Sequence, residues 1–360
     1  MVVGLFLNMS SIQIASSSGT YGIDVGLGLF DRMDFTNSII LVDKNVEKFL
    51  PEMTSKKIVV SPNEASKTLS TCEDIIIQLK EGGAVRGTHL IAIGGGYVQD
   101  IATLSASLYM RGIKWTFIPT TTMAMMDSCI GGKSSINVGN FKNLVGNFYP
   151  PNQILVDLNF AKSLSQVDLA CGLLEAVKIC YARSSESFET FVNLRKAEKD
   201  IVSPKGVELV SHVLQSKKWF IENDEFDTGV RQLLNFGHTY GHALEAATEF
   251  AIPHGVAIGL GMLAALESSQ VPLEGIELML SQEIRDILKG SSDFIVRGVS
   301  NFDQEQFISA FEGDKKHTKD CFRPILSRNG RLEVVEIARE REFSLNASTS
   351  ILKVMEQEID

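Results

Sequence analysis

Three of the chain's six histidines stand close together in the sequence, and their spacing suits a metal ion. His238 and His242 are four residues apart, so on a helix they share one face, as in the zinc enzymes that place two histidines on one helical turn. His254 follows in a Pro-His-Gly context that could aim its ring back at that helix. The alternative is that the pair is an accidental surface pair or a satisfied polar pair.

Glu175 is an acidic residue in an otherwise apolar, helix-like segment, residues 172–178. A carboxylate on a buried helix needs a charged partner or a metal ion. Two histidine nitrogens and one carboxylate oxygen leave an open coordination position, which a catalytic zinc ion requires, and cobalt suits the same ligands. The residue types therefore indicate a possible Zn²⁺ or Co²⁺ site.

Residues 127–135 form a glycine turn that resembles a nucleotide loop only superficially. Asp127 stands where the first glycine of a P-loop would be, so the segment is not a P-loop. Its backbone N–H groups and Lys133 could still hold an anion. Lys142 and Asn143 follow in a second glycine-rich setting.

Further cations occur at positions that could serve an anionic substrate, although each taken alone is more often a solvated charge. A functional reading requires them to converge in the folded chain. They are Arg111 before a glycine, Lys178 one turn after Glu175, Lys217, Arg231 with Asn235 one turn later, and the adjacent Lys315 and Lys316.

Three consecutive glycines, residues 94–96, follow an apolar strand-like segment and open a helix that contains Asp100. Such a turn lets the backbone approach a pyrophosphate, whose charge the helix N-terminus favours. A plain strand-to-helix turn fits the same pattern. Asp43 ends an earlier strand-like segment, where an acidic side chain could bind a ribose.

The elements that carry these residues predict two domains. Over about the first 155 residues strand-like and helix-like segments alternate, which indicates a mainly parallel sheet with packed helices. We therefore expect an α/β domain at 1–155 and a mostly helical domain at 156–360, with a brief return to strand at 324–338. The predicted helices of the second domain are 168–182, 186–195, 207–222, 230–248 and 256–269.

Composition excludes several classes of function. The net charge of −10 makes the surface unsuited to nucleic acid or anionic membranes. Five cysteines without Cys-x-x-Cys spacing fit free thiols in a reducing compartment, so we expect a cytoplasmic protein. Residues 1–8 lack the features of a signal peptide, and the longest apolar stretch, residues 255–266, is too short to span a bilayer.

Taken together, these segments closely resemble the 3-dehydroquinate synthase family of the sugar phosphate cyclases. The resemblance runs from Tyr21 to Ile337 and implies a Rossmann-like parallel-sheet domain followed by a mostly α-helical domain. Its most specific pieces are residues 94–100, 111–112, 119–121, 127–133, 142–143, 175–178, 231–242 and His254.

The resemblance implies roles for individual residues. Glu175, His238 and His254 match the family's zinc ligands, and His242 matches a histidine beside the substrate. Arg111 matches an arginine that reaches the phosphate of the neighbouring subunit, which implies a homodimer. The remaining matches to substrate-site residues are Asp127, Lys133, Asn143, Lys178, Lys217, Arg231, Asn235 and one of Lys315 and Lys316, with Lys315 slightly favoured.

The resemblance also implies NAD as a cofactor. The matching positions are Asp43, Asn45, Glu64, Lys67, Gly95, Gly96, Asp100, Thr120, Thr121 and Lys142. Gln99 departs from the family, which usually has glycine there, and Ser134 and Ser135 replace a Thr-Ala pair.

The implied reaction is the cyclisation of a sugar acid phosphate in the shikimate pathway. Transient oxidation by NAD, elimination of phosphate, re-reduction and aldol closure would leave no net redox change. Lys217 and Arg231 offer a site for a carboxylate, which favours 3-deoxy-D-arabino-heptulosonate 7-phosphate as substrate. The alternatives are an amino-dehydroquinate synthase, a sedoheptulose 7-phosphate cyclase, a polyol dehydrogenase of the glycerol dehydrogenase type and a non-catalytic family member.

Overall fold

The computed structural model describes residues 9–51, 55–139, 141–268 and 272–359. The expectation that residues 1–8 are not a signal peptide lies outside the described residues. The chain divides into two compact units. The first holds the chain up to Leu164 together with Leu194–Glu225, and the second holds Ser165–Asn193 and the chain from Phe226 onward.

Strands and helices alternate in the first unit, and helices dominate the second. The strands are β1 (Met9–Ser16), β2 (Gly19–Gly26), β3 (Ser38–Asp43), β4 (Lys56–Val60), β5 (His89–Gly94), β6 (Trp115–Pro119), β7 (Ile136–Val138), β8 (Phe141–Val145), β9 (Gln153–Asp157), β10 (Cys321–Phe322), β11 (Ile325–Arg328), β12 (Arg331–Val334) and β13 (Ile337–Ala338). The helices are α1 (Lys44–Glu47), α2 (Leu69–Glu81), α3 (Gly96–Leu108), α4 (Gln166–Arg183), α5 (Ser185–Ala197), α6 (Pro204–Asn223), α7 (His238–Ala247), α8 (His254–Glu267), α9 (Gly275–Leu288), α10 (Ser292–Asn301), α11 (Gln304–Glu312) and α12 (Arg341–Gln357).

Seven strands of the first unit form one sheet in the order β1-β2-β9-β6-β5-β3-β4. The pair β1–β2 is antiparallel and the other neighbours are parallel, which confirms the predicted α/β class. Every residue of β3 is buried, and Ile40 and Val42 pack with Ile91 and Ile93 of β5 in the core of one sheet face. Strands buried on both faces read as continuous apolar runs, which is why they were recognisable in the sequence.

In the sheet, β3 and β5 are neighbours. From β3 the chain continues to β4 on one side of this pair, and from β5 it continues to β6 on the other side. The carboxyl ends of β3 and β5 therefore flank a point where the strand order reverses, and open α/β sheets bind ligands at such points. Asp43 ends β3 and Gly94 ends β5. A Cβ atom on Gly94 would lie 3.3 Å from Cβ of Asp43, so the two ends adjoin.

The segment 194–225 lies with the first unit, whereas the sequence placed it in the second domain. Helix α6 contacts β1 and β2, and its end holds the hairpin between them. Glu222 Oε1 accepts the backbone N–H of Ala15 at 2.9 Å, and Glu225 Oε2 accepts that of Ser17 at 2.8 Å. The helical pattern alone could not indicate which sheet or bundle the helix would join.

In the second unit α7 and α8 pack closely together and against α4 and α11. The helix expected at 230–248 is interrupted: a 3-10 turn covers Val230–Asn235, and α7 begins only at His238. Gly237 between them has φ of 78°, a left-handed conformation that ends helical continuity. The expected return to strand is present as β11, β12 and β13, and α12 follows it. No helix within the described ranges is long and apolar enough to cross a membrane.

Candidate metal and cofactor sites

Close approach of three helices positions the candidate metal ligands. Glu175 lies on α4, His238 begins α7 and His254 begins α8. A Cβ on Gly241 of α7 would lie 2.9 Å from the carbonyl oxygen of residue 257, and one on Gly255 would lie 2.4 Å from a Cα atom of α4. Only glycine lets these backbones meet at such distances, so the side chains beside them converge.

The three histidines and Glu175 form one cluster. The ligand nitrogens of His238, His242 and His254 lie within 4.8 Å of one another. Oε1 of Glu175 lies 3.8 Å from Nε2 of His238 and 3.7 Å from Nε2 of His254. This oxygen is buried and has no hydrogen-bond partner among the described residues. Buried oxygens without a partner are rare and call for an explanation such as a bound ion.

Hydrogen bonds fix the orientation of two of the imidazole rings. Nδ1 of His254 donates to Oε1 of Glu245 at 3.2 Å, and Nδ1 of His238 donates to the carbonyl oxygen of Phe236 at 3.3 Å. In the neutral form of each ring Nε2 is then the unprotonated nitrogen, and it faces Glu175. Histidines that bind metals usually donate their other ring N–H to a carboxylate or carbonyl oxygen of this kind.

The electrostatics of the cluster favour neutral rings at two positions. Burial, followed by the charge of Lys178, holds the pKa of His238 well below its usual value. Desolvation and the neighbouring His254 lower the pKa of His242 to about 4. Burial alone would lower the pKa of His254, but the hydrogen bond and charge of Glu245 outweigh it and raise that pKa. Neutral imidazole is the form that binds metal ions.

Two lysines stand beside the cluster. Lys178 is buried, and its Nζ donates to Oε2 of Glu175, the oxygen that does not face the histidines. Nζ of Lys316 lies 2.6 Å from Oδ2 of Asp314, and its charge contributes to lowering the pKa of His242. Lys315, which the sequence slightly favoured, has an exposed side chain. The structure thus brings Lys316 rather than Lys315 into the cluster.

Arg231 and Asn235 lie on the 3-10 turn that precedes α7. Arg231 is buried, with 4 % of its surface exposed. Nδ2 of Asn235 donates to the carbonyl oxygen of Gln232 at 3.0 Å. The second unit therefore carries both residues on one short turn.

In the first unit, cofactor candidates gather at the reversal of strand order. Oδ1 of Asp43 accepts the backbone N–H of Asn45 at 2.8 Å, and burial raises the pKa of this carboxyl group. The backbone N–H of Thr120 donates to the carbonyl oxygen of Gly94 at 2.9 Å. A Cβ on Gly95 would lie 3.0 Å from Cγ2 of Thr121. These contacts hold the ends of β3, β5 and β6 together.

An ion-pair network around the buried Lys67 joins three further cofactor candidates. Nζ of Lys67 lies 2.9 Å from Oε1 of Glu64 and 3.1 Å from Oδ2 of Asp100. Burial raises the pKa of Asp100 to about 6, although the charge of Lys67 opposes the shift. Oδ1 of Asp100 accepts the backbone N–H of Ser135 at 3.0 Å. The network therefore extends from the helix after the glycines to the segment after Lys133.

The remaining candidates of the anion group differ in exposure. Lys133 is half-buried, with Nζ 5.8 Å from the centroid of the Phe148 ring. Lys142 and Asn143 are exposed on β8, and Asn143 has φ of 53°. Arg111 is exposed and has φ of 66°.

Lys217 of α6 lies beside Asp127, which is in a π-helical turn, Ala124–Ser128. Its Nζ lies 2.7 Å from Oδ1 and 2.5 Å from the carbonyl oxygen of Asp127. Lys217 is thus in the first unit, and Arg231 is in the second. Their predicted action on one substrate carboxylate stays a prediction.

Sequence reasoning missed several residues of these sites. Glu245 lies one turn after His242, a spacing that could have indicated it. The side chain of Gln99, where the family usually has glycine, donates to the carbonyl oxygen of Ser128 at 2.6 Å and accepts the hydroxyl group of Ser128 at 2.6 Å.

The first unit also contains a cavity of about 420 Å³ that nothing in the sequence had indicated. It is lined by Phe30, Asp31, Phe49, Asp157, Asn159, Phe160, Lys162 and Ser163.

Comparisons with known proteins agree with the fold. Two family models match, one described as 3-dehydroquinate synthase N-terminal over residues 57–171 and one as its C-terminal part over 172–317. A 3-dehydroquinate synthase of Saccharolobus solfataricus is 34% identical over 314 residues, which are 84% of this chain and 86% of the relative. One of Alkaliphilus metalliredigens is 31% identical over 348 residues, 91% of this chain and 95% of the relative.

Solved structures show the same fold. A 2-deoxy-scyllo-inosose synthase complexed with carbaglucose-6-phosphate, NAD⁺ and Co²⁺ has a TM-score of 0.80 at 23% identity, covering 97% of this chain and 99% of its own. A 2-epi-5-epi-valiolone synthase of Streptomyces hygroscopicus subsp. jinggangensis with NAD⁺ and Zn²⁺ has a TM-score of 0.76 at 20% identity, covering 94% and 97%. At these identities the likeness concerns the fold alone.

Proposed function

The chain belongs to the 3-dehydroquinate synthase family, and from that premise we propose that it converts 3-deoxy-D-arabino-heptulosonate 7-phosphate into 3-dehydroquinate and phosphate. It would act as a lyase that requires NAD and a divalent metal ion. The observation that carries the proposal is the buried Oε1 of Glu175, which lacks a hydrogen-bond partner and faces Nε2 of His238 and His254.

Glu175, His238 and His254 would hold the metal ion. Tetrahedral zinc has bonds of about 2.0–2.1 Å to nitrogen and oxygen, so its ligand atoms stand roughly 3.4 Å apart. The separations of 3.7 and 3.8 Å from Oε1 to the two nitrogens are close to this value. His242, the most exposed of the three histidines, would remain beside the metal as a contact for the substrate. Zinc and cobalt both suit this ligand set.

NAD would bind at the reversal of strand order in the first unit. The acidic Asp43 suits a ribose, and the turn at 94–96 suits a pyrophosphate at the start of α3. A Cβ on Gly96 would have its nearest neighbour only at 3.8 Å, so the space before this residue is open. The other proposed contacts are Asn45, Glu64, Lys67, Gly95, Asp100, Thr120, Thr121 and Lys142.

When bound, the metal ion would polarise a substrate oxygen and NAD would accept and return a hydride. The chain's own contribution is charge and orientation. Lys178 donates a hydrogen bond to the outer oxygen of Glu175, and Lys316 places a positive charge beside the histidines. The proposed substrate contacts of the second unit are Lys178, Arg231, Asn235, His242 and Lys316, and those of the first are Asp127, Lys133, Asn143 and Lys217.

We extend the proposal to a cytoplasmic homodimer in which Arg111 reaches the phosphate bound by the partner subunit. Met110 and Arg111 both have positive φ, at 50° and 66°, and neither is glycine. Strain of this kind persists where it serves a function. The exposed apolar side chains of Leu108 and Met110 stand beside Arg111 in the sequence, as a subunit contact would require.

The test is a turnover assay with purified, metal-loaded protein, NAD and the sugar acid phosphate. We expect phosphate release matched by 3-dehydroquinate, without accumulation of NADH. Glu175→Gln should lose both the metal ion and turnover, whereas His242→Asn should keep the metal ion and lose most of the turnover. Turnover of sedoheptulose 7-phosphate but not of the sugar acid, or steady NADH production from a simple alcohol, would overturn the assignment.

A further inference from the structure

Asn137, on β7, is a buried amide whose polar atoms bond to two separate segments. Its Nδ2 donates to the carbonyl oxygen of Glu64 at 2.8 Å and to Oε1 of Glu64 at 3.3 Å. Its Oδ1 accepts the backbone N–H of Asn143 at 2.9 Å, and its own N–H donates to the carbonyl oxygen of Lys67 at 2.8 Å. With 8 % of its surface exposed, this residue joins the turn at 64–67 to strand β8.

In the proposed function the turn at 64–67 serves NAD, whereas β8 carries both an NAD contact, Lys142, and a substrate contact, Asn143. Glu64 and Lys67 belong to the proposed NAD site, and Asn143 belongs to the proposed contacts of the substrate's phosphate or hydroxyl groups. Asn143 has φ of 53°, a left-handed conformation that non-glycine residues adopt uncommonly and asparagine most readily. The hydrogen bond from its N–H to Asn137 is therefore a contact on which this backbone conformation depends.

A second contact ties the same hairpin to the NAD site. The backbone N–H of Ser135 donates to Oδ1 of Asp100, whose other oxygen pairs with Lys67. The strand β7 is thus anchored just before its start by Asp100 and within its length by Asn137. Displacement of the turn at 64–67 would be transmitted to β8 through Asn137.

We infer that Asn137 is a positioning residue that couples occupation of the NAD site to the conformation of Asn143. The inference rests on the proposed function, because that function assigns the ligands of the two segments. NAD that fixes Glu64 and Lys67 also fixes the partners of Asn137, and through Oδ1 the backbone of Asn143. Coupling between sites is reciprocal, so NAD and phosphate should tighten each other's binding by the same factor.

Calorimetric titration of metal-loaded, full-length protein tests this coupling. NAD is titrated with and without saturating inorganic phosphate, and phosphate with and without saturating NAD. For the parent protein we expect each ligand to tighten the other by about 5-fold or more. Asn137→Asp keeps the acceptor for Asn143 but places a carboxylate beside Oε1 of Glu64. We expect its coupling to fall below about 2-fold, and Asn137→Ala should show the same loss.

Asn147→Ala is the matched control, because Asn147 holds the neighbouring segment without touching the turn at 64–67. Its Oδ1 accepts from Ser134 Oγ at 2.8 Å, and its Nδ2 donates to Ser107 Oγ at 2.6 Å. This variant should lose thermal stability and keep the parent's coupling.

A parent protein with less than 2-fold coupling, or an Asn137→Asp variant with the parent's factor, would overturn the inference. If the protein turns over the sugar acid phosphate but NAD and phosphate do not tighten each other's binding, this inference alone is wrong. If the binding of NAD and phosphate is coupled through Asn137 but the protein does not turn over the sugar acid phosphate, only the proposed function is wrong.

Discussion

Gly255→Ala is a one-carbon change at the contact between α8 and α4, and it should weaken metal binding without touching a ligand. The added Cβ would lie 2.4 Å from Cα of Cys171 and 2.6 Å from its carbonyl oxygen. Both are backbone atoms, so no side-chain rotation can relieve the clash. The start of α8, which carries His254, must move away from the helix that carries Glu175.

The size of the movement follows from the contact distance. Carbon atoms in van der Waals contact stand about 3.5–4.0 Å apart, so the helices must separate by roughly 1 Å. Metal–ligand distances tolerate deviations of only about 0.2 Å, so His254 would be misplaced relative to Glu175 and His238. We expect metal affinity to fall by about 100-fold and the free energy of unfolding to fall by about 2–3 kcal/mol.

Chelator competition measures the metal affinity, and thermal unfolding of the metal-free protein measures stability. Gly259→Ala on the same helix is the matched control, because its Cβ would meet only the tips of the Leu174 side chain, at 2.8 Å. That side chain can change rotamer, so the control should keep metal affinity within about 3-fold and lose less than about 1.5 kcal/mol. A folded Gly255→Ala protein that binds metal like its parent would refute the reasoning.

Three further predictions concern single side chains. Glu245→Gln should lower metal affinity about 10- to 100-fold. Because Glu245 raises the pKa of His254, the decline of the variant's metal affinity with falling pH should begin at a lower pH than in its parent, which chelator competition across pH 5–8 would show. Lys316→Met should lower kcat/KM by about 10- to 100-fold and Lys315→Met should change it little, as steady-state kinetics would reveal. Iodoacetamide at pH 8 should label the native protein only at Cys321, as measured by mass spectrometry, because the other four thiols are buried and burial raises the pKa of three of them to about 11 or 12.

Local patterns in the sequence predicted local structure well. The apolar run that ends at Asp43 is a fully buried strand, and the three glycines span the junction at which β5 ends and α3 begins. His238 and His242 share one turn of α7, as their spacing indicated. Glu175 lies in a buried stretch of helix, which its apolar neighbours predicted. In each case the signal lies within a single element or at its end, so neighbouring residues in the sequence are enough to reveal it.

The sequence contained no comparable signal for contacts between segments that are distant along the chain. Strands β1 and β2 were not predicted, because their alternating pattern is short and contains serines and glycines. Nothing in the helical pattern of α6 indicated that it would lie with the first unit. The sequence also could not distinguish Lys315 from Lys316, because the two residues are identical and adjacent. In the structure, the contact of Lys316 with Asp314 distinguishes them.

The same pairing recurs at each proposed site: a lysine with less than a tenth of its side chain exposed beside a carboxylate. Lys178 meets Glu175, Lys67 meets Asp100, and Lys217 meets Asp127. Buried ion pairs contribute little net stability, and replacing them by apolar residues is often stabilising. Their presence at all three sites therefore calls for a reason other than stability.

Function supplies that reason. Each lysine places a positive charge beside a carboxylate, and at Asp100 the charge of Lys67 opposes the rise in pKa that burial causes. At Glu175 the lysine occupies only the outer oxygen, so the inner oxygen is available to a metal ion. A methionine in place of Lys178 would leave the buried carboxylate of Glu175 without its charged partner, and an uncompensated buried charge is strongly unfavourable.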